Sequence, residues 1–111
     1  MKISFQDYEI VTVLTMSGDF THDDVEQFKR AVGDRRAAGA KHVLIDCENI
    51  EFVDSAALEA WLRLQESLGA GGGQFRLVRP DEPLTTILAL TRLSLAFEAL
   101  PSVEAAVRSL R

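Results

Sequence analysis

The sequence predicts a single α/β domain over residues 1–111, with a mixed, mostly parallel sheet of four to five strands and about four helices. Three observations point there. The chain has 111 residues, enough for one hydrophobic core and too few for two. It opens with two β-rich stretches that have no helical pattern between them, so they can pair as a hairpin. Strand-like and helix-like stretches then alternate, as parallel strands joined by helical crossovers require.

Residues 3–9 read as a short strand, and residues 10–16 as a second one, rich in β-branched side chains. Ser17-Gly18-Asp19 then breaks the pattern. Thr21 is a good helix N-cap, followed by the acidic first turn His22-Asp23-Asp24. Val25, Phe28 and Val32 recur at helical spacing, and Gly39 is placed to stop that helix. Residues 42–47 are apolar enough for a central strand covered on both faces. A turn at Glu48-Asn49 follows, and residues 50–53 lead into Asp54-Ser55.

Residues 56–68 are strong helix formers, with Leu58, Trp61, Leu62, Leu64 and Leu68 marking a buried side. The glycine cluster at 69–73 ends that helix. It precedes a strand and lacks the Lys-Ser/Thr ending of a phosphate-binding loop, so it reads as a flexible connection. Residues 75–78 form another strand. Pro80-Asp81-Glu82-Pro83 starts a helix that runs to about residue 90, since proline is tolerated in the first turn. Residues 95–97 read as a short edge strand. Ser102 caps a last helix, whose stripe of Val103, Ala106, Val107 and Leu110 must pack on the sheet.

Composition narrows the function. Acidic residues outnumber basic ones, 17 to 12, for a net charge of -5, which argues against a surface that tracks nucleic-acid phosphates. The basic pair Arg35-Arg36 sits near a helix end, where cations complement the dipole. Cys47 is the only cysteine and lies in an apolar run, so it reads as a buried, inert thiol. The first residues lack the apolar stretch of a signal peptide, and no run reaches the ~18 apolar residues of a membrane span. The cytoplasm is the expected compartment.

Enzyme templates are nearly empty. His22 and His42 have no partner at metal-ligand spacing, no Cys/His pair suits zinc, and no Gly-x-Ser-x-Gly elbow is present. No metal and no cofactor are expected. The place of interest is Asp54-Ser55, where a strand gives way to a helix. Either residue can serve there simply as an N-cap. The other reading is a switch: a phosphate on Ser55 would bring about -1.5 to -2 charge to a favourable dipole end and repel a docked partner.

The stretch Val43-Leu44-Ile45-Asp46-Cys47-Glu48-Asn49-Ile50-Glu51-Phe52-Val53-Asp54-Ser55-Ala56-Ala57-Leu58 resembles the signature of STAS domains, the family of anti-sigma factor antagonists. That signature is a hydrophobic strand ending in Asp, a short turn, and an Asp-Ser pair opening a helix. Ser17-Gly18-Asp19-Phe20-Thr21 resembles the family's Gly-Glu-Leu-Asp segment, and residues 97–106 its closing segment. The resemblance implies a STAS fold and a partner switch. An unphosphorylated antagonist would bind a GHKL-type kinase that doubles as an anti-sigma factor. Phosphorylation of Ser55 would release it, and a PP2C-type phosphatase would restore binding. ATP and magnesium would belong to the kinase.

On this reading Ser55 is the phosphoacceptor, and Asp54, Ala56, Ala57, Glu59, Arg63 and Thr21 belong to the docking surface. Two departures from the family pattern stand out. Ala56-Ala57 replaces Ser/Thr-Gly, which removes a side-chain-free spot for a partner to close on. Thr21 replaces an aspartate, and is read as an N-cap before a second phosphosite. Two other functions compete. One is an accessory STAS subunit held constitutively in a lipid-transport ATPase or a stressosome-like scaffold. The other is a small nucleotide-binding module, which lacks a phosphate-binding motif.

Overall fold

The computed structural model describes residues 1–110. Strands β1 (Lys2–Tyr8) and β2 (Val11–Phe20) form the opening hairpin, turning through Glu9, which takes a left-handed φ of 58°. A 3-10 turn (His22–Asp24) leads into α1 (Val25–Ala37). Then come β3 (His42–Val53), α2 (Ser55–Ala70), β4 (Phe75–Val78), α3 (Glu82–Leu90), β5 (Glu98–Leu100) and α4 (Val103–Ser109). The sheet order is β1-β2-β3-β4-β5. β1 and β2 are antiparallel, and every later pairing is parallel. This is the mixed, mostly parallel sheet with four helices that the residue pattern predicts.

Three element boundaries differ from expectation. Ser17-Gly18-Asp19 does not end β2, which continues to Phe20 with Gly18 at φ 93°. Nor is Glu48-Asn49 a turn: β3 runs unbroken through it. The two extensions pair with each other, Ser17 with Asn49 and Phe20 with Val53, across two register shifts. Bulges let a polar, glycine-containing stretch stay in a sheet when its neighbour does the same. The third difference is β5, which is Glu98–Leu100 rather than residues 95–97. Leu95 is fully exposed, whereas Phe97 is buried edge-on against Trp61, with ring centroids 6.0 Å apart. Packing of that ring shifts the strand past it, and Glu98 then pairs with Arg76 on β4 at 3.0 Å.

Helices α1, α2 and α3 cover one face of the sheet, and α4 covers part of the other. The larger core is centred on Trp61, whose ring meets Phe20, Phe75 and Phe97 at 5.7, 6.3 and 6.0 Å. Leu62, expected on the buried side of α2, is only half-buried at the margin of this core. Cys47 is fully buried, and burial pushes its thiol pKa well up, so it is unreactive as expected. On the smaller face, Val11, Val13, Leu44 and Val78 meet Ala106 of α4. No helix among the described residues is long and apolar enough to cross a membrane.

Candidate functional site at the start of α2

The site is built where β2 and β3 end side by side. The Asp54 N–H donates to the Phe20 carbonyl at 3.2 Å, so the end of β2 holds the residue that opens α2. Asp54 is extended (φ -96°, ψ 179°) and caps the helix, one carboxylate oxygen accepting the Ala57 N–H at 2.8 Å. Its other oxygen accepts the His22 N–H at 2.9 Å. One side chain therefore satisfies a free donor at α2 and another at the 3-10 turn before α1. Partial burial pushes the Asp54 carboxyl up, but the N–H groups of Ala57 and His22, with the His22 side chain, outweigh it. The carboxyl is held below its ordinary value.

With Asp54 as the cap, Ser55 becomes the first residue of the helix and is exposed. No hydrogen bond among the described residues engages its hydroxyl. Thr21 differs. Its N–H and its hydroxyl both donate to the Asp24 carboxylate, at 3.0 and 3.2 Å. The Thr21 N–H is the main reason the Asp24 carboxyl lies below its ordinary value. Thr21 is thus tied into the 3-10 turn rather than into α1 itself.

Further along α2, Glu59 and Arg63 point outward and bridge each other, Nη2 to Oε1, at 2.6 Å. Ala56 is half-buried beside them, and Ala57 is wholly buried in the core. Ala57 thus supports the surface from below and cannot itself touch a partner. A methyl at that position leaves the outer face unchanged. The side-chain-free spot that the family's glycine would give lies at this buried position, so on the outer face the departure is confined to Ala56, where the family has Ser or Thr.

The 3-10 turn and α1 contribute a part that sequence spacing did not suggest. His22, Val25 and Lys29 face Ala56, Glu59 and Arg63 across a shallow groove of about 270 Å³. The His22 ring lies 3.1 Å from Asp23 and 3.5 Å from Asp54. Val25 and Lys29, four residues apart, share one helix face. Only the packing of α1 on α2 turns that face toward Ala56, Glu59 and Arg63. No cluster of three metal-ligating side chains occurs among the described residues.

Comparison with known proteins agrees with this architecture. A protein of Thermotoga maritima, provisionally named an anti-sigma factor antagonist, is 24% identical over 102 residues, covering 91% of this chain and 90% of that protein. An anti-sigma factor antagonist from Mycobacterium paratuberculosis superposes with a TM-score of 0.82 at 26% identity, over 99% of this chain and 93% of that one. SpoIIAA in its unphosphorylated form gives 0.81 at 18% identity, over 97% and 96%. Its phosphorylated form, from Bacillus, gives 0.75 at 18%, over 99% and 100%. The model of the STAS domain family matches residues 2–106, and the chain belongs to that family.

Proposed function

We propose that this chain is an anti-sigma factor antagonist that works as a phosphorylation-controlled partner switch. In this reading it binds a GHKL-type kinase that is also an anti-sigma factor, is phosphorylated on Ser55 and is thereby released. A PP2C-type phosphatase resets it. The chain itself is the kinase's substrate and carries no catalytic group.

One observation carries the reading: Asp54 takes the capping role, which leaves the Ser55 hydroxyl exposed and free at the first helical position. A phosphate there meets the unpaired N–H groups of the helix start, so the fold accommodates it. It also adds about two negative charges to a corner already holding Asp23 and Asp54. A docked partner loses its match to the surface while the domain stays folded. Ser55, Asp54, Ala56, Glu59 and Arg63, joined by His22 and Lys29 across the groove, form the proposed docking face. The Thermotoga and Mycobacterium relatives are named as anti-sigma factor antagonists, which supports the same class of function.

The test uses wild-type, Ser55→Ala and Ser55→Asp chains as baits in a lysate of the source organism, with phosphosite mapping. Expected is a GHKL-type kinase on the wild-type and Ala baits, its loss from the Asp bait, and phosphate on Ser55. Equal recovery on all three, with Ser55 never modified, would instead support the second reading, a constitutive accessory subunit. What favours that alternative is Ala56 standing where the family has Ser or Thr.

A further inference from the structure

The two edges of the sheet are built differently. β5 has three residues and runs into Pro101, which has no N–H to offer a neighbouring strand. β1 is the other edge, and it lacks the usual protection. It has seven residues, pairs with β2 residue for residue without a bulge, and contains no proline or glycine. Its charges stand only near the ends, at Lys2 and Asp7, and Asp7 is already engaged by Arg35 at 2.9 Å. Such an edge leaves a row of backbone N–H and C=O groups facing outward.

Apolar exposure is concentrated on the same edge. Of the six exposed large hydrophobic side chains among the described residues, three lie on β1 or its turn: Phe5 at 55%, Tyr8 at 40% and Ile10 at 48%. Arg35 lies over the Phe5 ring, 3.8 Å from its centroid. The middle of the exposed edge is therefore an ordered aromatic ring.

We infer that β1 is a self-association edge, on which a second copy of this chain pairs β1 to β1, antiparallel, about a two-fold axis at Phe5. Five strands from each copy would then form one continuous sheet. The strand's own residues favour a second copy over a foreign segment. Phe5 is the midpoint of Lys2–Tyr8, so an axis there opposes all seven residues. Lys2 meets Tyr8, Ile3 meets Asp7, Ser4 meets Gln6 and Phe5 meets Phe5. No like charges face each other, and the central pair is aromatic.

The backbone agrees. In an antiparallel ladder the outward N–H and C=O groups belong to alternate residues. Either alternate set of β1, the odd-numbered or the even-numbered residues, is symmetric about residue 5. Outward groups therefore meet outward groups in both cases. Opposed residues also share a sheet face, which places α1, α2 and α3 of both copies on one side. Because the axis reverses strand direction, the two Ser55 residues stand at opposite ends of the joined sheet. Both switch faces stay open.

The test is analytical ultracentrifugation over a micromolar to submillimolar concentration series, with two charge variants. Ser4 and Gln6 are exposed and oppose each other across the axis, so Ser4→Lys/Gln6→Lys and Ser4→Glu/Gln6→Glu each place like charges face to face. Wild type is expected to dimerise, and each variant alone to self-associate at least about tenfold more weakly. An equimolar mixture of the two variants is expected to recover a dimer, because Lys then opposes Glu. A wild type that stays monomeric throughout overturns the inference. So do variants that dimerise like wild type, or a mixture that fails to recover a dimer. None of these outcomes depends on phosphorylation of Ser55.

Discussion

The carboxylate of Asp54 accepts the backbone N–H of His22 at 2.9 Å, joining two segments 32 residues apart in sequence. Its second oxygen caps α2 through Ala57. Asp54→Ala is expected to cost about 2 kcal/mol, one cap and one further hydrogen bond to a carboxylate, measured by urea unfolding. Asp54→Asn keeps an acceptor and should cost less. The folded-state carboxyl lies below its ordinary value, so its contribution is present above the unfolded pKa and lost as pH falls through the folded one. The stability gap between wild type and Asp54→Asn should therefore close below about pH 4.

Ser55 should separate binding from folding. It is exposed and is not the cap, so Ser55→Ala is expected to change stability by less than about 0.5 kcal/mol. Ser55→Asp puts a negative charge at the helix start and should be neutral or stabilising by up to about 1 kcal/mol. A melting temperature preserved in Ser55→Asp, alongside lost kinase binding, would assign the loss to the surface. A collapsed melting temperature would not.

His42 supplies a second pH dependence at the far end of the sheet. It is buried, and its Nδ1 accepts the Gln74 N–H at 2.9 Å, which only an unprotonated nitrogen can do. Burial, and then the neighbouring Lys41 and Arg76 charges, hold its pKa below the ordinary value. For a base lowered on folding, the unfolded chain takes up the proton first. Stability is full above the unfolded pKa of about 6.5 and declines as pH falls toward the folded value. The urea midpoint should drop as pH falls below about 6.5 in wild type and drop less in His42→Gln.

Gly73 is the one member of the glycine cluster that packing demands. A Cβ there would overlap the Lys41 carbonyl oxygen and lie 3.1 Å from that of Leu68, whereas one at Gly69 meets nothing within 4 Å. Gly73→Ala is expected to destabilise by at least about 2 kcal/mol, because only backbone movement relieves the overlap. Gly69→Ala, by the same unfolding assay, should be neutral or slightly stabilising.

What the residues determined by themselves is local. Hydrophobic period, capping residues and glycines marked the strands and helices in their order, and placed Asp54-Ser55 at a helix start. Those signals operate within a turn or a strand, so they survive reading one segment at a time. Tertiary structure decided what depends on a neighbour distant in sequence. β2 and β3 run on through Ser17-Gly18-Asp19 and Glu48-Asn49 because each extension gives the other its ladder partners. Phe97 is drawn onto Trp61, and β5 starts after it. Ala57 turns inward beneath the surface that Ser55 and Ala56 present, and His22 from the 3-10 turn and Lys29 from α1 join that surface. Backbone hydrogen bonding in a sheet and packing between helices are long-range interactions, and residue preference along the chain does not encode which distant partner will satisfy them.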